Sequence, residues 1–257
     1  MTVIDKISLN KRLELRKTRC ISERLEKSPN LNVHCVVSDH LHIRLAARDV
    51  TALALIHESF NLAYGYVQTW FGRHADMVFD LWMAPELIDL QYMTCLSCDE
   101  TFFCAPGSRN GMHIILFVSP QSCTKNADKG LLSGLFAHEI THHVVRNISQ
   151  ATVFSMKRKE NLDVPMWLEE GLCQFIDSEV YPPFKQRRTK KIPRITRWYN
   201  RDELWNDLSS CEDPETAYLQ AYKETRAVIE TTGKTELIQL LYLNRTHEAD
   251  WREMLHW

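Results

Sequence analysis

Apolar and polar positions along the chain follow two rhythms, and the change from one to the other divides it. From residue 31 to about 125, short apolar runs of strand length alternate with turn residues. VHCVVS (33 to 38), MVFDLWM (77 to 83), the segment around ETFFC (about 101 to 105) and MHIILFVS (112 to 119) read as strands. The last two are separated by the turn signal APGSRNG. Between the first and second runs, a helical period from about Arg48 to Phe71 predicts one long helix. From 126 onward the period of 3.6 takes over. Leu132, Leu135, Phe136, Ile140 and Val144 predict a largely buried helix from about Gly130 to Asn147. VPMWLEEGLCQFIDSEV predicts another with proline in its first turn, and the remaining third reads as helical to the end. Strands first and helices later is an α+β order. The first 30 residues form a basic leader, with an amphipathic helix expected over about 6 to 28, and residues 31–257 are expected to form one domain.

The buried helix carries polar residues that packing alone does not explain. In FAHEITHHVVRN, His138 and His142 lie four apart, so both imidazoles can face one ion. Glu139 follows the first of them, which gives the zinc-hydrolase pattern H-E-x-x-H, where the carboxylate is the general base and not a ligand. His143, about 100° around the helix from His142, is expected to be structural or an outer contact of the site. The third ligand has to be found elsewhere. The metzincin extension needs glycine and histidine where Val145 and Ile148 stand, and no histidine follows His143 until His247. A carboxylate remains, and two compete. Glu160 sits in the charged stretch MKRKENLD, which reads as a solvated loop. Glu170 lies 28 residues beyond His142, with 27 between them, in PMWLEEGLCQF, an apolar helix able to pack on the motif helix with a carboxylate aimed inward. The context favours Glu170.

HEITHH followed by WLEEGL resembles the gluzincin metallopeptidases, the thermolysin and aminopeptidase-N group and their smaller relatives. The resemblance spans about residues 31 to 245 and implies a thermolysin-like fold, with an edge strand above the motif helix that pairs with an extended peptide substrate. It also implies one catalytic Zn²⁺ held by His138, His142 and Glu170, since the family ligand is the glutamate directly before glycine and not its neighbour Glu169. Within AYLQAYKETRAVIE it places Tyr218 as the residue stabilising the tetrahedral intermediate, with Tyr222 one turn later as a rival. The longer interval before Glu170 implies an inserted loop. The G-x-M-E-N segment that grips a free amino terminus is absent, so the expectation is an endopeptidase of restricted specificity. A peptide-binding scaffold that has lost turnover and a zinc hydrolase of a non-peptide amide are the alternatives.

Composition narrows the partners. A net charge of −2 over 257 residues and a pI near 6.6 argue against nucleic acid or membrane binding through the overall field. The expected partner is a peptide or protein. No apolar stretch suits a signal peptide or a membrane span, which predicts a cytoplasmic protein. Eight cysteines are then thiols or metal ligands before they are disulfides. Cys95, Cys98, Cys104 and Cys123 contain one C-x-x-C and are candidates for a second, structural zinc, for a redox pair or for plain thiols. The run KQRRTKKIPRITRWYNR (185 to 201) holds eight basic residues and no acid, so it is either a solvated loop or a selector of acidic substrates.

Overall fold

The computed structural model describes residues 24–25, 31–94, 111–122, 127–149, 164–205, 207–245 and 251, together with the backbone of 102–109. The expected leader helix lies outside these residues except for Arg24 and Leu25. The architecture is mixed: a small sheet in the N-terminal part and a mostly helical remainder. The chain gathers into two compact units. One comprises Met1–Asn61, Asp76–Leu132 and Thr152–Met156, and the other Leu62–Ala75, Ser133–Ala151 and Lys157–Trp257. None of the described helices is long and apolar enough to cross a membrane.

The first unit is built on five strands: β1 (Val33–Ser38), β2 (Leu41–Leu45), β3 (Phe79–Ala84), β4 (Phe102–Arg109) and β5 (Met112–Val118). Their order is β1-β2-β3-β5-β4, with a parallel centre (β2, β3, β5) and an antiparallel strand at each edge. β3 is buried along its whole length, as expected for a central strand covered on both faces. On one face Phe60 of α1 (Leu53–Phe71) meets Phe79 edge to face at 5.6 Å, and Ile43, Leu81, Ile115 and Ile56 are fully buried. The other face is covered by Leu90 and Met93 of α2 (Leu87–Thr94), which pack with Trp82, Leu116 and Val118. Asp80, the one charged residue of β3, is satisfied by Arg44 Nε at 3.0 Å and Trp82 Nε1 at 2.9 Å.

Two elements have no counterpart in the sequence reading. β2 is only five residues, LHIRL, yet it alternates strictly, with Leu41, Ile43 and Leu45 buried and His42 and Arg44 less so. α2 has two turns. The helix expected from Arg48 opens instead as a 3₁₀ segment, Ala47–Ala52. β4 runs through most of the expected turn to Arg109, with a register shift between Cys104 and Ser108. Gly111, at φ +79°, makes the reversal.

The second unit contains most of α3 (Lys129–Ser149), then α4 (Met166–Val180), α5 (Pro182–Lys191), α6 (Pro214–Thr232) and α7 (Lys234–Arg245). The first turn of α4 has no side-chain cap. Its exposed N–H groups are taken by backbone carbonyls from the stretch after α5, Met166 N donating to Trp205 O at 2.8 Å and Trp167 N to Leu204 O at 3.1 Å. Only Tyr181 separates α4 from α5. α6 lies so close on α4 that a Cβ at Gly171 would fall within 2.8 Å of the Ala221 carbonyl carbon and closer still to Thr225 Oγ1. The expectation of helix to the end fails over residues 195 to 213, where Pro193 closes a short 3₁₀ turn and the chain runs largely irregular until Asp213 caps α6.

Candidate metal centre

α3 buries Phe136, Ile140 and Val144 and turns His138, Glu139 and His142 toward α4. The two rings stand 5.0 Å apart at 71°. Glu170 of α4 meets both: His138 Nε2 lies 3.5 Å from its Oε2 and His142 Nε2 lies 3.6 Å from its Oε1. Three residues expected to act together are therefore brought together, two ring nitrogens facing the two oxygens of one carboxylate. Cys173, one turn along the same face of α4, places its thiol within 4.8 Å of ligand atoms on both histidines. His138, His142 and Cys173 form a group that could hold a metal ion. The side chains of His138 and Glu170 keep 20% and 14% exposure, while Glu139, His142 and Cys173 are buried.

Each histidine is held from behind. His138 Nδ1 donates to Asp177 Oδ2 at 3.1 Å, and His142 Nδ1 donates to Glu169 Oε1 at 2.7 Å. Such a bond fixes the tautomer of the neutral ring, so that an ion displacing the Nε2 proton meets a lone pair already aimed. The carboxylates are held in turn. Arg188 of α5 grips Asp177 with both terminal nitrogens, Nη2 at 2.9 Å from Oδ2, and also donates to the Gln174 carbonyl at 2.8 Å. Arg146 Nε donates to Glu169 at 2.8 Å. Sequence reasoning missed these supports. The signal for Asp177 and Cys173 was helical spacing, seven and three residues beyond Glu170. In the sequence Arg188 is only one charge in a basic run.

The electrostatics follow from crowding four carboxylates and two imidazoles in little water. Burial works against a charged His138, but Asp177, Glu170 and Glu139 outweigh it and push its pKa up to about 10. Burial works against a charged Glu169 too, yet Arg146 and His142 hold it down to about 2. Glu170 is likewise lowered against burial by His142 and His138. Glu139 goes the other way: desolvation raises it, only partly offset by the two histidines. Burial and the flanking Glu170, Glu169 and Glu139 push the Cys173 thiol well above its ordinary value, so in the chain alone it is a neutral donor.

Other expected participants fall elsewhere or outside view. Tyr218 is half-buried in the first half of α6, its carbonyl accepting from Gln174 Nε2 at 3.0 Å. Its rival Tyr222 is buried beneath the Arg188 guanidinium, 5.4 Å from the ring centre. His143 is buried. Glu160, Cys95, Cys98 and Cys123 lie outside the described residues, and of Cys104 only the backbone is described. The basic run is mostly α5 and the irregular stretch after it. No protein-family model matches this chain and no curated protein matches it.

Proposed function

We propose that the protein is a zinc-dependent metallopeptidase of gluzincin type, an endopeptidase acting in a reducing compartment such as the cytoplasm. One observation carries this reading: both Nε2 atoms face the Glu170 carboxylate at 3.5 and 3.6 Å while both Nδ1 atoms are tied to other carboxylates. Two imidazoles and a carboxylate suit zinc and leave a coordination position over. His138, His142 and Glu170 would hold the ion. When bound, zinc polarises a carbonyl and lowers the pKa of a water to about 7.

The remaining chemistry belongs to the chain. Glu139, its basicity raised by burial, accepts the proton of the attacking water and hands it to the leaving nitrogen. Asp177 and Glu169 hold the rings in place through the Nδ1 bonds. The gluzincin resemblance assigns Tyr218 to the developing negative charge. Cys35, Cys173 and Cys211 are free thiols, which accords with a reducing compartment.

Glu139→Gln tests the reading. It preserves shape and all three ligands, so zinc content and folding are expected to persist, while cleavage of an unbiased peptide library falls by about 10²-fold or more. Equal cleavage by both proteins, or no cleavage by the wild type across the library, overturns the assignment.

A further inference from the structure

Five of the eight cations between Lys185 and Arg201 are engaged by acids: Lys185 by Glu179, Arg188 by Asp177, Lys191 by Glu215, Arg197 by Glu212 and Arg201 by Glu224. Arg187, Lys190 and Arg194 are exposed and have no acidic or hydrogen-bonding partner among the described residues. The three are not scattered. Residues 187, 190, 191 and 194 follow the i, i+3, i+4, i+7 spacing of a single helical face, about 10 Å long. That face lines a concave surface of about 380 Å³ bounded by Pro183, Gln186, Arg187, Lys190, Lys191 and Arg194. About 100° around α5 from Arg187 stands Arg188, which binds Asp177 behind His138. One helix thus splits its cations between the metal centre and an outward groove.

We infer that this groove is an exosite for an acidic segment of the polypeptide substrate. Unpaired cations one helical turn apart, roughly 5–6 Å, match carboxylates on alternate residues of an extended peptide, roughly 7 Å apart. A nucleic acid strand fits less well, because the groove has no aromatic lining among the described residues on which bases could stack. The nearby exposed Trp198 lies instead under Lys223, 4.2 Å from its ring centre. The inference deepens the metallopeptidase reading and rests on it for the word substrate.

The test uses the full chain carrying Glu139→Gln, so that bound peptide is not cleaved. Fluorescence anisotropy is measured with a labelled glutamate-rich peptide, its glutamine counterpart and an oligothymidylate, at low and raised salt. Binding of the glutamate peptide is expected, weakening with salt and falling about tenfold or more in Arg187→Ala/Lys190→Ala/Arg194→Ala. Arg197→Ala is expected to bind as the parent does, and circular dichroism checks that each variant folds. The inference is overturned if the glutamine peptide binds equally, if the triple variant binds unchanged, if the oligothymidylate binds more tightly, or if nothing binds. Because binding needs no turnover, its failure alongside Glu139-dependent cleavage removes the exosite alone. Binding without cleavage by the parent enzyme leaves the groove standing and removes the peptidase.

Discussion

Replacing Gly171 by alanine isolates the packing that sets Glu170 in place. The added methyl would sit 2.8 Å from the Ala221 carbonyl carbon, and nearer still to the Ala221 oxygen and Thr225 Oγ1. Ordinary contact needs about 3.5–4.0 Å, so α4 and α6 must part by about 1 Å. The obstacle is largely backbone and cannot rotate away. Overpacking of this kind costs about 1–3 kcal/mol, and the upper end is expected because Trp167, Leu172 and Ala221 around it are fully buried. Urea unfolding should show that loss as a lowered midpoint with little change in slope. Since Gly171 follows Glu170 directly, the variant should also bind zinc at least about tenfold more weakly. Adding Thr225→Ala removes the hydroxyl but not the carbonyl, so only part of the stability returns. If Gly171→Ala unfolds within about 0.5 kcal/mol of the parent, the close approach of the two helices is wrong.

Metal analysis of the purified protein should find about one zinc, lost in His138→Ala, His142→Ala and Glu170→Gln but kept in Cys173→Ser. Retention in Glu170→Gln with loss in Cys173→Ser would transfer the third ligand from the carboxylate to the thiol. In the same assay Asp177→Asn should weaken binding about 10- to 100-fold while the ligands stay in place, and an unchanged affinity would remove the supporting role. The metal-free protein should lose stability at both ends of the pH scale. Glu169, held at about 2 against about 4.3 unfolded, stabilises the fold above pH 4.3, and that contribution disappears as pH falls toward 2. His138, raised to about 10, contributes fully below about 6.5 and loses its contribution as pH climbs through 10. Urea midpoints of wild type, Glu169→Gln and His138→Asn across pH check both, and parallel curves for all three would contradict the assigned partners.

The motif helix was legible because Phe136, Ile140 and Val144 set its period while two histidines four apart could not be accounted for by packing. The apolar context of the following helix pointed to its Glu169–Glu170 pair, and only the resemblance to gluzincins singles out Glu170 of the two. β2 escaped because five alternating residues barely exceed what chance arranges, and α2 because two turns carry little periodicity. The outer carboxylates escaped for a different reason. Asp177 and Glu169 matter only through Arg188, Arg146 and the histidines, 11 to 39 residues away, and no local pattern announces a partner at that range. The irregular stretch after Pro193 falls inside the third expected to be helical to the end, and its task of capping α4 with the Leu204 and Trp205 carbonyls is invisible until the chain has folded back.

The one-residue elbow at Tyr181 also bears on the order in which the centre assembles. Arg188 reaches Asp177 across only 11 residues, Glu169 reaches His142 across 27 and Asp177 reaches His138 across 39. The α6 contacts span 44 residues from Gln174 to Tyr218 and 58 from Trp167 to Thr225. Closing a longer loop costs more chain entropy, though only about 0.6 kcal/mol per doubling, and local contacts form sooner. Refolding should therefore set the guanidinium against Asp177 first, bring the imidazoles to their carboxylates next and seat α6 on α4 last. A chain stalled before that final step would already hold its two histidines in register, with Glu170 still free to swing.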